Sequence, residues 1–319
     1  MSHVVIQIPC YNEEETLALT LSQLPKTLPD IEKVDVLIID DGSTDRTLEV
    51  ARANGVQHFV VHASNRGLAT AYISGLKKAL ELGADIIVNT DADNQYAAAD
   101  IASLVEPVWQ GRADIAIGAR PIQETEHFSP LKKLLQSIGS WTVRRLSNTS
   151  IADAPSGFRA VSREAAKRLF VYNRYTYTLE TIIQAGLQNL RIVSVPIHTN
   201  SPLRPSRLVK STADYVMRSV FTIVRIYIIY RPLRLFLFLA ALVGLPGLIL
   251  VLRFLFLYAT GHGAGYIQSL TIGTALLSVS AFLCLGGILA DLISVNRRLL
   301  EEIRLRLFEM GDKDKDAKK

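Results

Sequence analysis

The sequence contains little cysteine and little charge. Two cysteines, Cys10 and Cys284, occur in 319 residues, too few for a disulfide framework or a multi-thiolate metal site. Charged residues make up 20% of the chain, against about 25% in average soluble domains, whereas 49% of the residues are hydrophobic. The composition therefore excludes a secreted domain stabilised by disulfides and a chain that is mostly disordered.

Basic charge is scarce in the first part of the chain and concentrated in the last. Residues 1–200 carry 19 Lys and Arg against 22 Asp and Glu, a net charge of −3. Residues 201–319 carry 16 against 8, a net charge of +8. The first part also has no basic stripe with interleaved aromatics, so we expect no nucleic-acid partner. The basic excess lies in the most apolar part, which predicts a membrane surface as its partner.

Charge is absent from two long runs in the C-terminal part. Leu235–Leu252 has 18 uncharged residues and Phe254–Ala290 has 37. A helix that spans a membrane needs ~20 apolar residues, and the glycine-rich segment Gly261–Gly265 divides the second run. These lengths predict two transmembrane helices, at about 233–258 and 266–290. The alternative is one buried hydrophobic domain of a soluble protein.

The flanks of these helices predict their orientation. Basic residues precede the first helix and follow the second, whereas the connecting loop has no Lys or Arg. The positive-inside rule predicts a multi-pass cell-membrane protein with both termini in the cytoplasm. We therefore expect a cytoplasmic domain over 1–210, an interfacial amphipathic region over 211–232 and the helix pair within 233–292. A cytoplasmic helix would follow within 293–319, and the charged tail Gly311–Lys319 would be disordered.

The N-terminal part alternates short apolar runs with amphipathic stretches. The runs are rich in Val and Ile and do not alternate with polar residues, as strands of a parallel sheet buried on both faces require. The predicted strands are Val4–Ile8, Val34–Ile39, His58–Val61, Asp85–Asn89 and Asp114–Ile117. The predicted helices are Glu13–Leu24, Asp45–Asn54, Leu68–Leu82 and Ala98–Gln110. This order predicts a Rossmann-like α/β domain that binds ligands at the carboxyl ends of its strands.

Four short polar motifs lie where ligands are expected, next to strand ends. They are Pro9-Cys10-Tyr11-Asn12-Glu13-Glu14, Asp40-Asp41-Gly42-Ser43-Thr44-Asp45, Asn65-Arg66-Gly67 and Asp91-Ala92-Asp93-Asn94-Gln95. Each motif alone could be only a turn or a helix cap. Their shared position and order instead favour one common site.

Asp91 and Asp93 have the spacing of a metal–diphosphate clamp. Hard divalent cations such as Mg²⁺ and Mn²⁺ take oxygen ligands and leave coordination positions open for phosphate oxygens. The sequence offers no competing His/Cys cluster for a softer metal. We therefore expect Mg²⁺ or Mn²⁺ as the cofactor, bound after the fourth strand.

These motifs resemble the family 2 glycosyltransferases of the GT-A fold, over Val4 to about Ser211. The chain is similar in particular to the polyprenyl-phosphate glycosyltransferases, the group with bactoprenyl-phosphate glucosyltransferase and dolichyl-phosphate mannose synthase. The added features are the predicted helix pair and the segments Asp153–Arg159, Tyr177–Glu180 and Arg204–Arg207. The resemblance implies a nucleotide-sugar donor, UDP-glucose in first place, a polyisoprenyl phosphate acceptor, inversion at the anomeric carbon, and a homo-oligomer, a tetramer in the family.

The resemblance also implies roles for single residues. The nucleotide-binding residues would be Pro9, Tyr11, Asn12, Glu14, Asp41, Asp91 and Gln95. The metal ligands would be Asp93, Asp91 and Gln95. Asp153 matches the acid taken as catalytic in the family. The residues expected to bind phosphate or the acceptor are Arg159, Arg204, Ser206 and Arg207.

Several alternatives remain open from the sequence. The nucleophile would be a phosphate oxygen that is already anionic near neutral pH, so Asp153 could accept a residual proton, orient the acceptor or stabilise positive charge at the anomeric carbon. The donor could be GDP-mannose. The protein could also be a processive polysaccharide synthase, although the sequence lacks the Gln-x-x-Arg-Trp motif of that class, or a non-catalytic membrane scaffold that binds a nucleotide sugar.

Overall fold

The computed structural model describes residues 2–121, 141, 144, 149, 151–171, 177–201, 221, 225, 228, 232–262 and 265–316. The chain divides into two compact units, Met1–Ser219 and Val220–Lys319.

A seven-stranded sheet forms the centre of the N-terminal unit. In chain order its strands are β1 His3–Cys10, β2 Lys33–Asp40, β3 His58–Val61, β4 Ile86–Asn89, β5 Ile115–Ala119, β6 Arg159–Ser162 and β7 Ile192–Pro196. Their order across the sheet is β3-β2-β1-β4-β6-β5-β7. β6 is antiparallel to both of its neighbours, and every other pair is parallel. The sheet is thus mostly parallel, as predicted, and β6, which was not predicted, makes it mixed.

The helices whose bounds the structure describes in this unit lie between successive strands. They are α1 Leu17–Gln23, α2 Thr47–Ala53, α3 Leu68–Glu81, α4 Ile101–Trp109, α5 Arg163–Arg168 and α6 Thr178–Leu187. A single 3₁₀ turn, Ala98–Asp100, precedes α4. Connections between parallel strands generally place their helices against the faces of the sheet.

The core of the unit surrounds β1. All eight residues of this strand are buried, with Val4, Ile6 and Ile8 fully excluded from solvent. Burying a branched aliphatic side chain contributes about 1.5–3 kcal/mol relative to leaving it exposed, so β1 strongly stabilises the sheet. β1 pairs in parallel with β2 and β4, with Cys10 opposite Asp40 and Gln7 opposite Asn89. The loops after these three strands therefore emerge at one edge.

The sequence predicted the first five strands and missed two. The strand His58–Val61 was predicted with the bounds that the structure has, and the others differ by a few residues. β6 and β7 were not predicted. The predicted helix Glu13–Leu24 begins only at Leu17, because the residues before it hydrogen-bond to the neighbouring loop.

The C-terminal unit contains two long helices, α7 Pro232–Ala259 and α8 Ile267–Asp316. α7 and the segment Ile267–Arg297 of α8 are long and apolar enough to cross a membrane. Only 17% and 6% of their most apolar stretches are buried inside the protein, which disfavours a buried core of a soluble domain. Three of the four ends of these segments lie within one residue of the predicted spans, 233–258 and 266–290. The second segment ends later than predicted, at Arg297.

α8 continues well past the predicted span. It runs without a break to Asp316 and so includes six residues, 311–316, of the tail from Gly311 for which we expected no structure. The segment after Arg297 is rich in Leu, Glu, Arg and Lys, which are strong helix formers, and this favours extension of the helix beyond the apolar run.

Glycines allow α7 and α8 to pack closely. A Cβ atom on Gly247 would lie 2.8 Å from the Leu276 Cβ and 3.0 Å from the Gly273 carbonyl oxygen. Ser280 Oγ also donates a hydrogen bond to the Ala240 carbonyl across the pair, at 2.8 Å. Close backbone approach through small residues and interhelical hydrogen bonds are how helices associate within lipid.

Candidate active site

The loops after β1 and β2 are joined by reciprocal hydrogen bonds. The Asn12 N–H donates to Ser43 Oγ at 2.9 Å, and Asn12 Oδ1 accepts from the Thr44 N–H at 2.8 Å. The Glu14 N–H donates to Asp45 Oδ2 at 3.1 Å. Asn12 and Glu14, both predicted to bind the nucleotide, thus hold the two loops together in this structure.

Pro9 and Tyr11 lie on either side of the point where β1 ends. Pro9 is buried within the strand, whereas Tyr11 is 42% exposed, at the start of the loop. An exposed aromatic ring at the carboxyl edge of a parallel sheet offers a stacking surface for a planar base. This position is consistent with the predicted role of Tyr11, whereas Pro9 is part of the paired strand, opposite Ile39.

Asp41 organises the third loop, which follows β3. Its Oδ1 accepts from the Arg66 N–H at 2.9 Å, and its Oδ2 accepts from the Gly67 N–H at 2.8 Å. Its Oδ1 also lies 2.7 Å from His62 Nδ1. Only 4% of Asp41 is exposed. This carboxylate therefore fixes the position of the loop directly before α3.

Gly42 permits close approach between the second and third loops. Its φ is +76°, and a Cβ atom there would lie 2.6 Å from the Ser64 carbonyl carbon. Both the backbone conformation and the space exclude any larger residue. The loops after β1, β2 and β3 thus form one connected surface at the carboxyl edge of the sheet.

The acidic loop after β4 contains the predicted metal ligands. Asp93 accepts two hydrogen bonds from Gln95, one from its N–H to Oδ1 at 3.2 Å and one from its Nε2 to Oδ2 at 2.8 Å. The Thr20 hydroxyl donates to the Ala92 carbonyl at 2.9 Å and fixes the loop against α1. The structure therefore brings Asp91, Asp93 and Gln95 together within one ordered turn.

Asp91 lies in an electrostatically unfavourable position. Loss of solvent on burial, and then the neighbouring charge of Asp93, raise its pKa from 3.8 to about 7. Two carboxylates that repel each other, with an amide oxygen beside them, suit a hard divalent cation. Among the residues that the structure describes, no three His, Cys, Asp or Glu side chains form a metal cage, so a cation here would take its other ligands from water or substrate.

Asp153 is buried and paired with an arginine that sequence reasoning missed. Arg120 donates from Nε to Asp153 Oδ2 at 2.7 Å and from Nη2 to Oδ1 at 3.1 Å. Asp153 is 0% exposed, whereas 21% of the Arg120 side chain is exposed. Burial alone would lower the pKa of Arg120, but its hydrogen bonds to the Asp153 carboxylate raise the pKa above its ordinary value.

A buried polar cluster connects the acidic loop to the loop that follows Asp153. Asn89, the last residue of β4, accepts from Gln7 Nε2 and donates from Nδ2 to the Gly157 carbonyl and to the Tyr177 hydroxyl, each at 2.9 Å. The Tyr96 hydroxyl accepts from the Gly157 N–H at 3.2 Å. The two loops are therefore fixed relative to each other through Gly157.

Arg159 is placed inside the protein. It is 1% exposed, and it donates from Nη1 to Thr181 Oγ1 at 2.7 Å and from Nη2 to the Ser156 carbonyl at 2.5 Å. Its guanidinium carbon lies 5.2 Å from the centre of the Tyr177 ring. Its predicted contact with phosphate gains no support from this position, which instead stabilises the segment after Asp153.

The remaining predicted site residues lie outside the described part of the chain. They are Arg204, Ser206 and Arg207, and their roles stay predictions. The same holds for the interfacial region 211–232, of which the structure describes four residues, 221, 225, 228 and 232.

Comparison with known proteins identifies the family. The glycosyl transferase family 2 pattern matches residues 5–170, about half of the chain. The chain belongs to this family. The resemblance inferred from the four motifs is thereby confirmed, and the protein is a glycosyltransferase.

Two curated relatives of this glycosyltransferase carry informative names. One is the UDP-N-acetylglucosamine–dolichyl-phosphate N-acetylglucosaminyltransferase of Methanococcus voltae, 33% identical over 218 residues, covering 61% of this chain and 85% of the relative. The other is the undecaprenyl-phosphate mannosyltransferase of Micrococcus luteus, 31% identical over 204 residues, covering 61% and 82%.

A solved structure confirms the fold of the glycosyltransferase. It is the glucosyl-3-phosphoglycerate synthase of Mycobacterium tuberculosis in complex with Mn²⁺, UDP and glucosyl-3-phosphoglycerate. The match has a TM-score of 0.54 at 19% identity and covers 70% of this chain and 80% of that one. At this identity the likeness shows the GT-A type of fold alone.

Replacing Gly157 by alanine is expected to lower the turnover of this glycosyltransferase strongly. The added Cβ would lie 2.9 Å from the Tyr177 hydroxyl and 3.4 Å from both Asp91 carboxylate oxygens. Overpacking costs about 1–3 kcal/mol, and small displacements of reacting groups can cost ~100-fold in rate. Sugar transfer and thermal unfolding would be measured for G157A and for G83A. Gly83 has open space around its Cβ position but a φ of +86°, so G83A controls for loss of stability alone. Equal turnover in the two variants would contradict the prediction.

The metal-free enzyme is expected to lose stability as the pH rises from about 4 to about 7. The folded-state pKa of Asp91 is raised to about 7 from 3.8, so within this window the folded state binds more protons than the unfolded state. Stability therefore falls with rising pH and levels off above the folded-state pKa. Thermal unfolding in EDTA across this range would test the sign. The Asp91→Asn variant should lose this component, and an unchanged pH profile in that variant would refute it.

Proposed function

We propose that the protein transfers a hexose from a nucleotide sugar to the phosphate of a membrane polyisoprenyl phosphate, with inversion at the anomeric carbon. The observation that carries this proposal is the joint presence of the acidic loop at the sheet edge and two apolar helices of membrane-spanning length. The names of the two curated relatives, which act on dolichyl and undecaprenyl phosphate, support the acceptor class.

The donor would occupy the connected loops at the carboxyl edge. Tyr11 offers a stacking surface to the base, and Asp41 lies directly beside the loop before α3. Asp91, Asp93 and Gln95 would hold Mg²⁺ or Mn²⁺. A bound cation would offset the charge that develops on the departing nucleoside diphosphate.

The nucleophile is an oxygen of the acceptor phosphate. It attacks the anomeric carbon, a C–O bond forms, and the bond to the nucleoside diphosphate breaks. The second pKa of a phosphate monoester is ~6, so the oxygen is anionic at neutral pH and needs no strong base. Binding and orientation of two anionic substrates are therefore the main tasks of the protein.

Asp153 acts mainly by orienting Arg120 in this proposal. Both of its oxygens accept hydrogen bonds from the Arg120 guanidinium, and it has no exposed surface. Arg120 is partly exposed and follows the carboxyl end of β5, so it can offset charge on a substrate phosphate. This indirect role differs from the three that the sequence left open for Asp153, which were to accept a residual proton, to orient the acceptor or to stabilise positive charge at the anomeric carbon.

UDP-glucose remains the first donor that we propose, with GDP-mannose as the alternative. The decisive experiment is a donor screen on the full-length protein with undecaprenyl phosphate, UDP-glucose, UDP-N-acetylglucosamine and GDP-mannose. Released nucleoside diphosphate and the lipid product would be measured together. Release of diphosphate with a singly glycosylated lipid supports the proposal. A polymeric product would indicate a processive synthase, and nucleotide binding without any transfer would indicate a scaffold.

The membrane arrangement belongs to the same proposal. We place the soluble domain and both termini in the cytoplasm, because Lys and Arg flank the helix pair and are absent between the two helices. The homo-oligomeric state implied by the resemblance stays a prediction.

A further inference from the structure

His62 lies beneath the loops of the candidate donor site, immediately after β3. It is buried, and both of its ring nitrogens have partners. Nδ1 lies 2.7 Å from Asp41 Oδ1, and Nε2 lies 3.0 Å from Ser74 Oγ on α3. The His62 N–H also donates to the Asp40 carbonyl at 2.9 Å. The ring therefore connects the second loop to α3 through a continuous chain of hydrogen bonds.

The chemistry of these partners fixes the tautomer of a neutral His62. An ionised carboxylate only accepts hydrogen bonds, so the proton of the ring must be on Nδ1, facing Asp41. Nε2 then accepts, and the Ser74 hydroxyl must donate to it. This direction of donation, from Ser74 through His62 to Asp41, leaves each ring nitrogen satisfied.

Asp41, held by His62, in turn fixes the third loop, which follows β3. The oxygen that faces His62 also accepts from the Arg66 N–H, and the second oxygen accepts from the Gly67 N–H. Gly67 has a φ of +92° and directly precedes α3, so the loop has little freedom once these bonds form. A carboxylate with no side-chain donor could rotate about its Cβ–Cγ bond, and both backbone bonds would be disturbed.

We propose that His62 is a positioning residue for the nucleotide donor, which fixes the Asp41 carboxylate and the 65–67 loop through its Nδ1–H. This inference rests on the proposed function, because it takes the surface around Asp41 as the nucleotide site. His62 itself is buried and is not placed in contact with the substrate.

Two substitutions separate the roles of the two ring nitrogens of His62. In His62→Asn the amide nitrogen occupies the position of Nδ1, so the donor to Asp41 is kept and the contact with Ser74 is lost. In His62→Gln the amide nitrogen occupies the position of Nε2, so the contact with Ser74 is kept and the donor to Asp41 is lost. We expect H62Q to raise the donor KM about 10-fold with kcat changed less than about 3-fold, since a hydrogen bond to a charged group contributes on this scale. H62N should stay near wild type.

A matched control exists at the opposite edge of the sheet. His3, the first residue of β1, is also buried and forms a similar pair through Nε2 with Asp35 Oδ2 at 2.9 Å. Asparagine at position 3 cannot reach that partner, so H3N removes a buried histidine–aspartate pair, while Asp35 keeps its contacts with Lys33 and His58. It should lower thermal stability without raising the donor KM. A KM rise of equal size in H3N and H62Q would show a general structural effect and overturn the proposal.

Calorimetry keeps the inference separate from the proposed function. UDP and GDP, each with Mn²⁺, would be titrated into the wild-type protein, the single variants H62Q, H62N and D41N, and the double variant D41N/H62Q. No binding to the wild type refutes the nucleotide site itself. Binding to the wild type that is unchanged in H62Q refutes the role of His62. If His62 acts through Asp41, H62Q should add no further loss to D41N.

The proposal also stays testable if H62Q does not fold. Nitrogen-15 NMR of histidine-labelled wild-type protein reports which ring nitrogen carries the proton. A signal from a neutral ring with the proton on Nδ1, retained when UDP and Mn²⁺ bind, supports the proposal. A ring with the proton on Nε2 would leave Asp41 without this donor and would overturn it.

Discussion

Replacement of Arg120 by methionine is expected to lower turnover by at least ~100-fold and to destabilise the protein by about 3–5 kcal/mol. Asp153 has no exposed surface, and Arg120 donates to both of its oxygens. Removing the guanidinium takes a two-point partner away from a buried carboxylate, which accounts for a loss of this size. Our proposal adds a second cause for the loss of turnover, because it assigns the partly exposed guanidinium to the substrate phosphate. Turnover at saturating substrate and denaturant unfolding would be measured on the same preparations.

The double variant Arg120→Met with Asp153→Asn separates these two causes. Asparagine at position 153 removes the buried charge, so the double variant should regain most of the stability that R120M loses. Turnover should stay low if the guanidinium contacts a phosphate. Recovery of turnover together with stability would show that Arg120 only neutralises Asp153, and our assignment of Arg120 to a substrate phosphate would be rejected.

The sequence predicted the part of the fold that follows from apolar runs. β1 and β4 are continuous and buried, and they were recognisable because parallel strands covered on both faces lack alternation. The sequence also predicted that the acidic loop lies beside the loops after β1 and β2, because neighbouring parallel strands end at the same edge of a sheet. No tertiary contact had to be known for this step.

The missed strands lack such a pattern. β6 is only four residues long and begins with the buried Arg159, which donates hydrogen bonds to the Ser156 carbonyl and to Thr181, a residue 22 positions further along the chain. β7 is at most half-buried and ends in Pro196. Both strands depend on pairing with residues that are distant in the sequence, and intrinsic strand propensity does not include such contacts.

The site shows a similar division between residue identity and residue role. Asn12 and Glu14 were placed in the predicted pocket, but whether a polar loop residue faces a ligand or a neighbouring loop depends on geometry that the sequence does not contain. Arg120 carried a signal that could have been used. It directly follows the fifth strand, in the position that the other motif residues occupy relative to their strands.

Replacement of Asp93 by alanine is expected to abolish metal-dependent donor binding. Its carboxylate is fixed by two hydrogen bonds from Gln95 and lies close enough to Asp91 to raise the pKa of that group. Without it, a cation would keep one carboxylate ligand, and the diphosphate would meet Asp91 with less compensating charge. Calorimetry with UDP should then give the same weak affinity in Mn²⁺ and in EDTA.

Stability distinguishes this loss of function from a folding defect. Removal of the neighbouring charge should shift the pKa of Asp91 back toward its ordinary value, so metal-free D93A should be at least as stable as the metal-free wild type at pH 8. Asp114 pairs with Arg191 at the amino ends of β5 and β7, on the opposite edge of the sheet. D114A should therefore lose some stability and retain Mn²⁺-dependent binding of UDP. If D93A binds UDP with the wild-type affinity in Mn²⁺, then Asp93 is not a metal ligand, because a lost ligand cannot leave the metal-dependent part of the affinity unchanged.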